Sequence, residues 1–109
     1  MTVGSFAEKY GLSMIVPAEP DREITGGYVG DLLSWVMGRA SAGDAWVTIM
    51  SNINIAAVAA LTDVACVILA EGVQADEKVL EVAKEKGINL LSDSRTAFEI
   101  SGLLASELK

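Results

Sequence analysis

Three apolar runs with strand character, Trp46-Val47-Thr48-Ile49-Met50, Val64–Leu69 and Ile88-Asn89-Leu90-Leu91, alternate with segments of helical pattern. That alternation limits the fold more than any other feature. A strand followed by a helix and another strand closes most readily as a right-handed βαβ crossover, which lays the strands side by side and parallel. The expected architecture is therefore α/β, layered, with a largely parallel sheet built from βαβ units. The chain has 109 residues, 51% of them apolar and only two of them proline, so it can bury roughly two-thirds of its unfolded surface in one core. No repeat, linker or low-complexity tract divides it, and residues 1–109 read as a single domain.

Local signals place the remaining elements. A first helix is expected over residues 4–10, with Ser5 as its cap and Gly11 as its stop, followed by a short strand Ser13-Met14-Ile15-Val16 that Pro17 ends. A second strand lies near Gly27-Tyr28-Val29-Gly30, and Asp31 suits the N-cap of a helix reaching Arg39. Asn52 or Asn54 can cap the alanine-rich helix Ile55–Leu61. Asp76 and Glu77 complement the dipole of a helix that ends near Lys86, with Gly87 beyond it. Ser92, Asp93 or Ser94 caps a last helix whose Phe98, Ile100, Leu104 and Leu108 form a broad apolar band. The helix containing Leu32, Leu33, Trp35, Val36 and Met37 is apolar on more than one face, which makes these five residues the candidate homodimer contact.

Composition excludes several functions. Fifteen acidic against eight scattered basic residues give a net charge of −7, the wrong balance for nucleic acid. Asp63, Glu71 and Asp76 interrupt the richest apolar region, so no membrane-spanning run forms; with no basic start ahead of an apolar stretch, a cytoplasmic protein is expected. There is no histidine, which removes the commonest general base and metal ligand. The single cysteine, Cys66, sits inside an apolar strand as an inert thiol, so no metal or cofactor site is expected. No serine has an activating partner, and the Glu77, Glu81 and Glu85 series reads as a solvated helix face. A non-enzyme is the reading.

In a parallel sheet the ligand crevice lies beyond the carboxyl ends of the strands. Three polar loops fall there: Ser51–Asn54, Glu71–Gln74 and Ser92–Thr96. Candidate ligand groups are Ser51, Asn52, Asn54, Glu71, Gly72, Ser92, Asp93, Arg95 and Thr96, each with the plainer alternative of a cap or loop-closing role. Arg95 near a helix start opposes the dipole and so calls for an anion or an acidic neighbour. Asp21, Arg22, Thr25, Gly26 and Gly27 join this candidate site from Asp21-Arg22-Glu23-Ile24-Thr25-Gly26-Gly27, where Asp21 follows Pro20 in a turn and the paired glycines permit positive φ or a close backbone approach. Gly26-Gly27-Tyr28-Val29-Gly30 lacks the spacing of a phosphate loop and reads first as turn and strand.

The same seven residues resemble the motif of the DRTGG domain, a small α/β module related in fold to the HPr kinase N-terminal domain and found in some pyrophosphatases and phosphotransacetylases. The resemblance continues through Gly30-Asp31-Leu32-Leu33, Trp46–Ser51, Asn54-Ile55 with its alanine-rich helix, Val67-Ile68-Leu69 and Ala75–Gly87. It implies a free-standing bacterial copy of a regulatory domain: a homodimeric sensor of a small polar molecule or adenine nucleotide. The alternative is a protein-interaction module that binds a partner protein and no ligand. Ala70-Glu71-Gly72 and Ser51-Asn52-Ile53 depart from the family pattern of Thr-Gly-Gly and a Gly-Asp-Arg-like segment. Losing an arginine and gaining Glu71 makes the crevice less welcoming to phosphate.

Overall fold

Thr2 and Ser5 form a reciprocal cap, each side chain accepting the other's backbone N–H at 2.9–3.0 Å, and so start helix α1 (Val3–Tyr10). Ser5 is thus the partner in the cap, and Thr2 the cap itself. Gly11 takes φ 74 and ends the helix. A computed structural model describes residues 1–109 and continues with β1 (Ser13–Val16), β2 (Gly26–Val29), α2 (Leu33–Arg39), β3 (Asp44–Thr48), α3 (Asn54–Thr62), β4 (Cys66–Leu69), α4 (Glu77–Lys86), β5 (Leu90–Ser92) and α5 (Ala97–Glu107).

The five strands form one sheet in the order β1-β5-β4-β3-β2. β2, β3, β4 and β5 run parallel, and β1 adds antiparallel to β5. The expected layered α/β fold is therefore present. Strands from β2 to β5 neighbour one another in chain order, so the three right-handed crossovers put α2, α3 and α4 on one face. Side-chain alternation divides the core accordingly. Trp46, Val67, Leu69 and Leu90 pack under Val36, Ile55, Val58, Val79 and Ala83. On the opposite face Ala45, Val47, Cys66, Ile68 and Leu91 meet Phe6 and Ala7 of α1 and Ile100 and Leu104 of α5. Central strands β3 and β4 are buried throughout, which is why they read as unbroken apolar runs.

Several local expectations change. Asp31 does not cap α2: its Oδ1 accepts from the Thr48 hydroxyl at 2.8 Å and the Ile49 N–H at 2.9 Å, and Leu32 takes the cap position without a side-chain bond. Neither asparagine caps α3, whose N-cap is Ile53; Asn52 Oδ1 instead accepts the Asn54 N–H. Thr96, not Ser92, Asp93 or Ser94, caps α5, paired with Glu99. Phe98 is 87% exposed. It lies about 200° round the helix from Ile100, and the buried stripe is narrower than the expected band. Val36 is fully buried under the sheet, so it cannot belong to a dimer contact, whereas Trp35 and Met37 beside it are about half exposed.

Candidate functional site

The parallel strands give the sheet two chemically different ends, and the sequence candidates divide between them. Ser51, Asn52, Asn54, Glu71, Gly72, Ser92, Asp93, Arg95 and Thr96 all follow the carboxyl ends of β3, β4 or β5. Asp21, Arg22, Thr25, Gly26 and Gly27 do not join them, because they lead into β2 and lie where the parallel strands begin. The motif and the loops cannot line one crevice.

What the motif does at its own end is structural. The guanidinium of Arg22 donates to the Asp63 carboxylate at 3.1 Å and to the Asp63 carbonyl at 2.8 Å. Asp63 is the left-handed C-cap of α3, with φ 58, so Arg22 satisfies a helix end where carbonyls lack partners. Thr25 donates its N–H to the Gly43 carbonyl, and Gly43 in turn donates to Asp63. A Cβ on Gly43 would meet the Thr25 hydroxyl, and one on Gly26 would lie 2.5 Å from the Asp44 carboxylate. The glycines thus admit close neighbours within the fold, not a phosphate.

At the other end two sectors form. In the first, Gly72 donates its N–H to the Asp93 carbonyl, and Glu71 donates its own to the Arg95 carbonyl. Arg95 donates to the Asp93 carboxylate at 3.0 Å and to the Tyr10 carbonyl at 2.9 Å. Its charge therefore has the acidic neighbour that its place near a helix start required. Beside these residues lies a polar cleft of about 340 Å³ lined by Gly11, Ser13, Gly72, Gln74, Ser92, Asp93 and Ser94, with Val73 the single apolar contributor. The Glu71 carboxylate accepts the Ala97 N–H at 3.2 Å, the first turn of α5. With Thr96 and Glu99 bonding the neighbouring amides, a helix start that could hold an anion already holds carboxylates.

The second sector contains Ser51, Asn52 and Asn54 at the start of α3, where no side chain caps the helix. Asp31 and Thr48 stand next to it, linked by their hydrogen bond. No hydrogen bond joins this sector to the Glu71–Arg95 network, so the rim carries two polar patches. Sequence reasoning missed Ser13, Gln74 and Ser94 as cleft residues. Gln74 and Ser94 belong to loops already chosen, but Ser13 reaches the rim only because β1 runs antiparallel with Ser13 opposite Ser92. Burial pushes the Cys66 thiol up to about 12, with the Arg22 charge opposing weakly, and it offers no nucleophile. No group of three or more His, Cys, Asp or Glu side chains comes together, and no helix is long and apolar enough to cross a membrane.

No protein-family model matches the chain, and no curated protein sequence matches it. Its three-dimensional form does have a counterpart. The crystal structure of the CBS and DRTGG domains of the regulatory region of Clostridium perfringens pyrophosphatase, complexed with the activator diadenosine tetraphosphate, superposes with a TM-score of 0.74 at 18% sequence identity. The match covers 94% of this chain and 45% of that one, so the chain spans less than half the length of its counterpart. The likeness is one of α/β fold, shared with part of that region. The activator belongs to the pyrophosphatase.

Proposed function

We propose that residues 1–109 act as one DRTGG-type regulatory domain, which senses a small polar molecule or an adenine nucleotide at the strand-end rim, performs no chemistry, and works as a homodimer in the cytoplasm. One observation carries the reading: the fold matches a regulatory region crystallised with an adenine dinucleotide activator, and the rim of this chain gathers polar loops around a cleft. The two sectors suit different parts of a ligand. The start of α3, where Asn52 already takes the Asn54 and Ile55 amides, presents the Ser51, Asn52 and Asn54 side chains, while the start of α5 is closed by Glu71. The dimer contact in this reading is the outward side of α2, where Leu32, Trp35 and Met37 are 46–59% exposed.

Thermal unfolding with AMP, ATP and dinucleoside polyphosphates tests the ligand. A ligand held at a hundred times its Kd adds about 2.7 kcal/mol and a clear rise in Tm. Unchanged melting with all three ends the nucleotide version. The rival reading, a partner-protein module without a ligand, draws on the same exposed residues together with Ile49 and Ile53, which are 47% and 40% exposed nearby on the rim. Trp35→Glu separates oligomer from partner: a halved mass in sedimentation, compared at one fixed concentration, supports the α2 dimer, and unchanged mass removes it.

A further inference from the structure

The two edges of the sheet are built differently. β1 is irregular, with a register shift between Met14 and Val16, and Pro17 follows it directly. A bulge and a proline are the usual devices that prevent an edge from pairing with another chain. β2 has neither. Its register with β3 is unbroken over four pairs, and Gly26-Gly27-Tyr28-Val29 contains no charge and no proline. Met1 and Thr2 pair with Glu23 and Ile24 just upstream, so the uncovered part of this edge is the strand itself.

An apolar groove of about 210 Å³ runs beside that edge, between Gly27 and Val29 of β2 and Leu104, Ala105 and Leu108 of α5. Val29 is 51% exposed at its border, while Tyr28 points to the opposite face and packs against the core under α2. We propose that β2 pairs antiparallel with β2 of a second copy of this chain, joining two sheets into one of ten strands. The occupant follows from symmetry and size. A two-fold axis normal to the sheet keeps each face on its own side, so a residue can oppose only one that faces the same way. Centred on Tyr28, that register sets Tyr28 against Tyr28 and Val29 against Gly27. A large side chain meets an absent one, and Val29 of each copy enters the groove beside Gly27 of the other. Two chains of net charge −7 repel in general, and a strand without a charged residue is where they can approach.

The inference is independent of the ligand reading and uses a surface distinct from α2. A four-residue strand covers less than the roughly 800 Å² per partner typical of stable complexes, so a dimer that dissociates in the micromolar range is expected. Sedimentation of the intact chain across that range, with amide exchange at both extremes, is the test. Mass should double with concentration, outward amides among Gly27–Val29 should gain protection, and those of β1 should not. Val29→Lys should weaken the dimer roughly tenfold or more. Trp35→Glu should leave it intact, whatever nucleotides do. Mass that stays constant at every concentration, a Val29→Lys association of unchanged strength, or protection that ignores concentration at β2 overturns the proposal. Should Val29→Lys misfold by circular dichroism, the exchange measurement on the unaltered chain decides alone.

Discussion

The two ends of the sheet use similar residues for opposite purposes. Where β2, β3 and β4 begin, an arginine, a threonine and two glycines close on Asp63, Gly43 and Asp44, and their polar atoms are spent on one another. Where β4 and β5 end, three serines, two glycines, a glutamine and Asp93 line open space beside Val73. The difference lies in connection, since a loop that precedes an edge strand and wraps past a helix end finds partners, while loops that leave a parallel sheet diverge. A distinctive motif can therefore be the clasp that sets the sheet, with the receptive surface elsewhere.

A matched pair of glycines separates the closed end from the open one most sharply. Gly43 at the closed end and Gly72 at the open end have positive φ of 85° and 73°. An alanine is strained at either, but only at Gly43 would its Cβ also strike a neighbour, the Thr25 hydroxyl. Gly43→Ala should lose about 2–3 kcal/mol and Gly72→Ala about 1 kcal/mol, read as shifts in the urea midpoint. Equal losses would mean the clasp is no tighter than the rim. Next in size is Arg22→Met, which removes the donor to the Asp63 carboxylate and one of the two donors to its carbonyl, and should lose about 1–2 kcal/mol with ligand response unaltered. If nucleotide binding vanished while the fold survived, Arg22 would be a ligand residue after all.

The sequence made the fold legible because strands buried on both faces leave long apolar runs, and because caps such as Asp76 with Gly87 have little ambiguity. It was weaker where the meaning of a residue depends on strand order. Asp31 has the chemistry of a cap, yet the adjacent β3 offers its carboxylate a hydroxyl and an amide. Ser13 becomes a rim residue only through the antiparallel edge, and Asp21–Gly27 leaves the rim only because β2 starts where the others start. Phe98 was misplaced by taking a helix rich in apolar residues as buried all along one broad band. The candidates Glu71, Gly72, Ser92, Asp93, Arg95 and Thr96 share one end of the sheet, because residues that follow consecutive strands of a parallel sheet lie there.

A smaller effect probes that rim. Glu71→Gln removes a carboxylate from the start of α5 and should lose only about 0.5 kcal/mol. It should also make the open end more receptive to anions, so that inorganic phosphate raises Tm further in the variant than in the unaltered chain. An identical phosphate response would show that Glu71 does not guard that helix.

The smallest effect belongs to the contact between the end of α1 and the end of α5. Glu107 accepts from the exposed Lys9 ammonium at 2.9 Å and from the half-buried Tyr10 hydroxyl at 2.8 Å. Hydrogen bonding from Lys9, then from Tyr10, lowers the Glu107 pKa, while the bond to Glu107 raises those of Lys9 and Tyr10. The signs fix the pH window. A lowered carboxyl stabilises fully above its ordinary value of 4.5 and loses this as pH falls through the lowered one. A raised phenol or ammonium stabilises below its ordinary value, 10.0 for Tyr10 and 10.5 for Lys9, and loses this as pH rises through the raised one. The advantage of the unaltered chain over Glu107→Gln should accordingly be small, flat across neutral pH, and shrink at both limits. A slope in that difference near neutrality would require another titrating group coupled to the Lys9–Tyr10–Glu107 cluster.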